Sequence, residues 1–127
     1  MNQEDVNLHS QMVQNYLKIV VEGKMIYANS HDVKKYIFGN LKEFQGYIFD
    51  MTRLRQIDST GFGVLINVAK RLNEKQRKMV IIIQDPYMKE LFFIAKFHFI
   101  LSIVATEVEA IEALHQDRSE KWSISKY

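Results

Sequence analysis

Apolar residues gather in four short runs along this chain, at positions 17–21, 47–51, 79–83 and 101–104. The second and third are almost continuously apolar and rich in aromatic or β-branched residues. Strands covered on both faces show that pattern, because neither side of the pleat meets water. A weaker alternation around Val6 and Leu8 predicts an edge strand.

Between the runs, apolar residues recur at helical spacing. Ser30 is placed to cap a segment whose Val33, Ile37 and Leu41 share one face. Phe62, Leu65, Val68, Ala69 and Leu72 form a second stripe. Asp85-Pro86 sets a cap residue before a proline at the first helical position, opening a helix through Met88, Leu91, Phe92 and Ala95. Thr106-Glu107-Val108-Glu109 reads as a capping box for a last helix through Ala110, Ile111 and Leu114. The predicted order is β-β-α-β-α-β-α-β-α. Strands alternating with helices imply an α/β fold around a mostly parallel sheet with right-handed crossovers. No internal repeat is visible. Positions 1–115 read as one domain. Positions 116–127, from Gln116 to Tyr127, lack periodicity and read as a C-terminal tail or short docking segment, with Trp122 expected against the body of its own domain.

Composition narrows the class. At 127 residues the chain fits a single domain, and its 47% hydrophobic content suffices for a core. The absence of cysteine excludes a disulfide framework, a thiolate nucleophile and a cysteine-based zinc site. A net charge of +2 is too small to advertise nucleic acid as a partner. The first residues, Met1 to Val6, are polar and acidic rather than leader-like. The apolar runs fall far short of the roughly 20 residues needed to cross a bilayer. A cytoplasmic protein without membrane insertion is the expectation.

The informative stretch is Ile57-Asp58-Ser59-Thr60-Gly61-Phe62-Gly63-Val64-Leu65. It follows a buried strand and a short loop holding Arg53 and Arg55, and it opens the second helix. Asp58, Ser59 and Thr60 all suit the turn before a helix, where their oxygens accept from free backbone N–H groups. Gly61 and Gly63 remove Cβ atoms where the chain turns tightly or where something else must come close. Local chemistry alone reads this as a capped helix start. Enzyme readings fare worse. The third glycine of a dinucleotide loop and the lysine of a P-loop are both missing. Ser59 lacks the G-x-S-x-G context of a hydrolase nucleophile. His9, His31, His98 and His115 are scattered without metal-ligand spacing, so no metal and no cofactor is expected.

Asp58-Ser59-Thr60-Gly61-Phe62-Gly63-Val64-Leu65 resembles the D-S-[ST]-G-[LF]-G-x-L signature of STAS domains, and more narrowly of the small bacterial anti-sigma-factor antagonists. The resemblance runs from about Tyr16 to Leu114. Val21-Glu22-Gly23 fits the end of the family's second strand, and Tyr47-Ile48-Phe49-Asp50-Met51 the strand before the signature. Asp85-Pro86-Tyr87-Met88 with Leu91-Phe92 fits its Ser-Pro helix, and positions 106–114 its closing helix. The fold implied is a four- to five-stranded, mostly parallel sheet with about four helices largely on one face.

The resemblance also implies a role. In the family, the first serine after the Asp is phosphorylated by a serine kinase that doubles as an anti-sigma factor; here that residue is Ser59, with Thr60 as the fallback acceptor. The unphosphorylated antagonist binds the kinase and frees a sigma factor for transcription, stress-response transcription included. A serine phosphatase resets the system. ATP is the kinase's, and this chain is its substrate rather than an enzyme. The partner-binding surface implied comprises Asp58, Ser59, Thr60, Gly61, Phe62 and Gly63, with Lys24, Ile26 and Arg55 nearby. The family reads G-E-L-D where this chain has Gly23-Lys24-Met25-Ile26, which changes the charge where a partner docks. Lys96 occupies the position of a glycine that ends the family's third helix.

Two other surfaces stand out. Lys70, Arg71, Lys75, Arg77 and Lys78 cluster near the end of the second helix, where cations complement the helix dipole and read as a solvated face. The aromatic-rich stretch from Phe92 to Phe99 reads as mostly core, with an excess that leaves an apolar patch for a partner or for self-association. Monomer and weak dimer are both open. Two alternative functions are a non-phosphorylated STAS scaffold subunit of a transport or signalling assembly, and a lipid- or small-ligand-binding module near Phe92 and Phe99.

Overall fold

Four helices and five of the six strands follow the predicted alternation, and a sixth strand is added between the third strand and the second helix. The computed structural model describes residues 5–116. Strands β1 (Val6–Val13) and β2 (Tyr16–Met25) open the chain, followed by α1 (Ser30–Gly39), β3 (Gly46–Asp50) and β4 (Leu54–Ile57). Then come α2 (Ser59–Glu74), β5 (Lys78–Ile82), α3 (Pro86–Ile94), β6 (Ser102–Val104) and α4 (Glu107–His115). β1 and β2 form an antiparallel hairpin, with Val13 paired to Tyr16 across the turn. From β2 onward the sheet is parallel, in the order β1-β2-β3-β5-β6, and β4 pairs with the far end of β2.

β4 is the element that the apolar pattern does not announce. Leu54 and Ile57 are buried, but Arg55 and Gln56 between them are exposed, so periodicity gives no strand signal over four residues. The segment expected as a loop becomes a strand because β2 outruns β3. β3 pairs with β2 from Tyr16 to Val20, and β4 takes over at Gly23, Lys24 and Met25. The changeover is a register shift at Gly23, which sits at φ 98° and donates its N–H to the Arg53 carbonyl at 3.0 Å. A Cβ there would lie 2.3 Å from the Asp5 carbonyl oxygen, so only glycine fits.

Alternate residues of the parallel strands are buried on opposite faces. Ile19, Val21, Tyr47, Phe49, Met79 and Ile81 meet Val33 and Ile37 of α1, Leu65, Val68 and Leu72 of α2, and Met88 and Phe92 of α3. Tyr16, Ile48, Val80 and Ile82 meet Ala110 and Leu114 of α4 on the other face. Three helices therefore share one face, and α4 alone covers the other. This double cover is why the central runs are continuously apolar.

Helix ends follow the predicted chemistry at two of three points. Asp85 Oδ2 accepts from the Met88 N–H at 2.8 Å to cap α3. Thr106 Oγ1 accepts from the Glu109 N–H at 3.1 Å, while Glu109 reaches back to the Ala105 N–H at 2.9 Å, one residue before the usual capping-box donor. Ser30 is not a cap. A 3-10 turn, Tyr27–Asn29, precedes α1, and Ser30 begins the helix with its hydroxyl donating to the Tyr27 carbonyl at 3.0 Å. Leu41 lies past the end of α1 yet still packs on the core. Lys96 keeps the left-handed turn after α3 at φ 67°, where a non-glycine residue pays about 1–2 kcal/mol. Positions 117–127, including Trp122, lie outside the described residues. Among those described, no helix is long and apolar enough to cross a membrane.

One ion cluster fastens α4 to the sheet. Lys18 Nζ, projecting from β2, donates to Glu107 Oε1 at 2.6 Å and lies 3.6 Å from Asp50 Oδ2 at the end of β3. The hydrogen bond to Glu107 and both carboxylates hold the Lys18 ammonium above the ordinary lysine value of 10.5, against the opposing effect of burial. A raised folded-state value means this stability is complete below pH 10.5 and is lost as pH climbs through the folded value. We therefore expect Lys18→Met to cost about 1.5–3 kcal/mol in urea melts at pH 7, the range for hydrogen bonds to charged groups. The gap between variant and wild type should narrow above pH 10.5; a gap constant from pH 7 to 11.5 on the same melts would assign the cost to packing instead.

Candidate functional site

The start of α2 lies where β2, β4 and the 3-10 turn converge, and a single carboxylate joins them. Asp58 is the N-cap, in extended conformation, and its Oδ1 accepts from the Gly61 N–H at 2.9 Å. Its other oxygen, Oδ2, accepts from the Tyr27 N–H at 2.9 Å, across 31 residues of sequence. The Asp58 N–H donates to the Met25 carbonyl at 3.2 Å. One residue thus closes the helix start, the end of β2 and the following turn into one unit.

Asn29 completes that unit from the opposite side. It is the buried polar residue among those described, 1% exposed. Its Oδ1 accepts from the Ile26 N–H at 3.1 Å and its Nδ2 donates to the Lys24 carbonyl at 3.0 Å. Sequence reasoning missed Asn29, because nothing in a polar residue before a helix says that its amide is folded inward.

The signature residues divide by role. Ser59 occupies the first position of α2 and is exposed, and its hydroxyl has no hydrogen-bond partner among the described residues. Helix geometry leaves the first N–H groups without intrahelical acceptors, and the positive end of the dipole lies here. Thr60 is half-buried. Gly61 is buried, and a Cβ on it would lie 2.4 Å from the Met25 carbonyl oxygen and 2.8 Å from Ile57 Cγ1. Its glycine is demanded by the fold. Gly63 is exposed, and a Cβ on it would meet nothing within 4 Å. No tight turn or internal close approach explains Gly63.

Phe62 turns inward. Its ring lies 4.9 Å from that of Phe92 and 5.4 Å from that of Phe97, fastening α2 to α3. Lys24 and Ile26 are half-buried beside the Asp58 unit, Lys24 standing 4.0 Å from Asp5. Arg55 points elsewhere: with Asn7, Glu22, Gly23 and Arg53 it lines a separate cleft of ≈ 490 Å³. Tyr27, 79% exposed, joins the surface around Ser59 without any sequence signal. Phe92, expected near an apolar surface, is fully buried, whereas Phe93, Ile94 and Phe99 are exposed. His98 is packed between Phe93 and Phe99, with ring centroids at 4.4 and 4.3 Å. Among the described residues no three His, Asp or Glu side chains gather as metal ligands.

A mostly parallel α/β sheet with helices on both faces, and an exposed serine directly after the N-cap of its second helix, defines the class of domain. Residues 7–110 match the STAS domain family, and the chain belongs to it. The fold resembles an anti-sigma factor antagonist from Mycobacterium paratuberculosis at 10% identity and TM-score 0.81, over 91% of this chain and 98% of that one. It resembles the anti-sigma factor antagonist SpoIIAA in its unphosphorylated form at 20% identity and TM-score 0.63, over 87% of this chain and 100% of that one. It also resembles the Bacillus cell fate determinant SpoIIAA in the phosphorylated form, at 19% identity and TM-score 0.63, over 84% of this chain and 97% of that one. No curated protein matches the chain in sequence.

Two neighbouring glycines should respond in opposite directions. Gly61→Ala forces backbone apart and should cost about 1–3 kcal/mol, the range for overpacking. Gly63→Ala relieves a helix-interior glycine and should raise stability by about 0.5–1 kcal/mol. Chemical denaturation of both variants checks this, and destabilisation by Gly63→Ala would show an internal constraint at that site. Asp58→Ala should cost about 1–2 kcal/mol by cap loss, with exchange protection of the Tyr27 and Gly61 amides falling together.

Proposed function

We propose that this chain is an anti-sigma-factor antagonist, a partner switch that binds a serine-kinase anti-sigma factor while Ser59 is unmodified and releases it on phosphorylation. The observation carrying this reading is the split between adjacent residues. Asp58 makes the contacts that hold the helix start, while the exposed Ser59 hydroxyl has no hydrogen-bond partner among the described residues. A modification at Ser59 therefore leaves the fold intact and alters only the surface.

The charge arithmetic supports a switch. A phosphate adds roughly −1.5 to −2 charge and three acceptor oxygens. At a helix start that charge is tolerated by the dipole and the free N–H groups. On a docking face it must be desolvated and repels acidic partner groups. Each 1.4 kcal/mol lost there lowers affinity about tenfold. Gly63 supports the same face: it sits one turn beyond Ser59, and its missing side chain serves close approach from outside. In this reading a kinase supplies ATP, a serine phosphatase removes the phosphate, and the chain itself is their substrate. The cytoplasm is where such partners meet it.

Incubation with the anti-sigma serine kinase encoded in the same genome should place phosphate on Ser59 by mass spectrometry. Ser59→Ala should lose that incorporation and keep binding. Ser59→Asp should bind the kinase at least tenfold more weakly while melting within a few degrees of wild type. Full-rate phosphorylation of Ser59→Ala would move the acceptor to Thr60 or end the proposal.

A further inference from the structure

On the outer face of α1 and α2 lies a groove of ≈ 350 Å³ lined by Lys34, Phe38, Asn67, Lys70, Arg71 and Glu74. Three cations share it with one carboxylate. Four cations outside it sit against acids, Lys18 with Glu107 and Asp50, Lys24 with Asp5, Arg53 with Glu22 and Arg77 with Glu43, so unpaired cations are common on this surface and it is their gathering around Phe38 that sets the groove apart. Lys34, Lys70 and Arg71 have no carboxylate within 4.0 Å among the described residues. Arg71 instead lies over the Phe38 ring, 4.9 Å from its centroid. That stacking holds the guanidinium in place while leaving its donors free for an incoming acceptor.

The groove is continuous with the Ser59 surface. At 100° per residue, positions 59, 63, 67, 70 and 74 fall within an arc of about 80° on α2, and all five are exposed. Eleven residues of helix separate Ser59 from Lys70, about 16 Å at 1.5 Å per residue. A standard interface covers about 800 Å² on each partner, a patch wider than that span. A kinase placed to reach Ser59 along this face therefore covers the groove as well.

We propose that the Lys34–Lys70–Arg71 groove is the second half of the docking surface and receives an acidic segment of the same kinase that phosphorylates Ser59. The proposal rests on the partner-switch reading and adds the chemistry of the partner. Electrostatic attraction steers the acidic segment onto the groove, and Gly63 and Asn67 between the two ends let the partner lie close to the helix. Phosphorylation acts at one end of this surface only, so the released antagonist keeps an intact groove for re-engagement once the phosphate is removed.

The test measures kinase binding by the full chain and its variants at 50 and 200 mM salt. Lys70→Glu/Arg71→Glu, and Lys34→Glu separately, should each weaken binding tenfold or more at low salt. Most of the loss should lie in the association rate, with a flattened salt dependence. Phosphorylation of Ser59 should show a raised KM with unchanged kcat. These side chains are exposed, so thermal midpoints should stay near wild type; if a reversal variant melts early, Lys34→Gln/Lys70→Gln should still lose about threefold. Binding within twofold of wild type for every groove variant, with Ser59→Asp still releasing the kinase, would overturn the groove and leave the switch standing. Failure of the kinase to bind wild type, with Ser59→Asp without effect, would overturn both.

Discussion

The Asp58 carboxylate is the constraint on which the junction of β2, the 3-10 turn and α2 depends. Its two oxygens serve donors that are remote in sequence, the Gly61 N–H at the helix start and the Tyr27 N–H in the turn after β2. A serine cap would satisfy the first donor and leave the second open. Threonine has the same limit, since only one side-chain oxygen is available. Asparagine has a single acceptor oxygen beside an amide that donates, which would oppose one of the two N–H groups. A carboxylate is thus the group that accepts from both sides at once, and charge assistance strengthens each bond.

That bridge works because the strands deliver its partners. β2 is ten residues long, and its last residues have no β3 beside them. The register shift at Gly23 lets β4 take that place, which brings Ile57 and Asp58 alongside Met25. Gly61 then passes so close to the Met25 carbonyl that a side chain would collide. Two glycines and one aspartate, 38 residues apart at their extremes (Gly23 to Gly61), are parts of one joint. The site stands beyond the carboxyl ends of parallel strands, where open α/β sheets present their functional loops.

Legibility followed the size of each signal. The central strands were readable because double burial makes 47–51 and 79–83 apolar throughout, and α3 was readable because Asp85-Pro86 carries both a cap and a start. β4 was not, since its pairing is imposed by the overhang of β2 rather than by its own residues. Ser30 misled because a serine before a helical stripe has the same composition whether it caps the helix or begins it. Lys96 shows the reverse: the sequence lacks the glycine, but the left-handed turn forms regardless, with Phe97 and Ile100 fully buried directly after it. Within the site, Asp58 and Gly61 were legible as a cap and a close approach. Tyr27 and Asn29 were not, because their roles come from a turn that only tertiary contacts define.

The adjacency of Asp58 and Ser59 explains how a surface can be altered without altering the fold. In α2 the cap side chain reaches forward to the N–H of the first turn, while Ser59 falls on the exposed side of the helical wheel, opposite the buried stripe. The cap is therefore committed to structure by geometry and the following residue is released from it. Gly63 and Asn67 extend the released face along the helix, and the buried stripe through Val64, Leu65, Val68 and Leu72 carries the packing on the other side. A charge placed at Ser59 then meets the helix dipole and solvent but none of the hydrogen bonds that hold the joint together. The energy of such a modification appears almost wholly in what binds the outer face, which is the separation a partner switch requires.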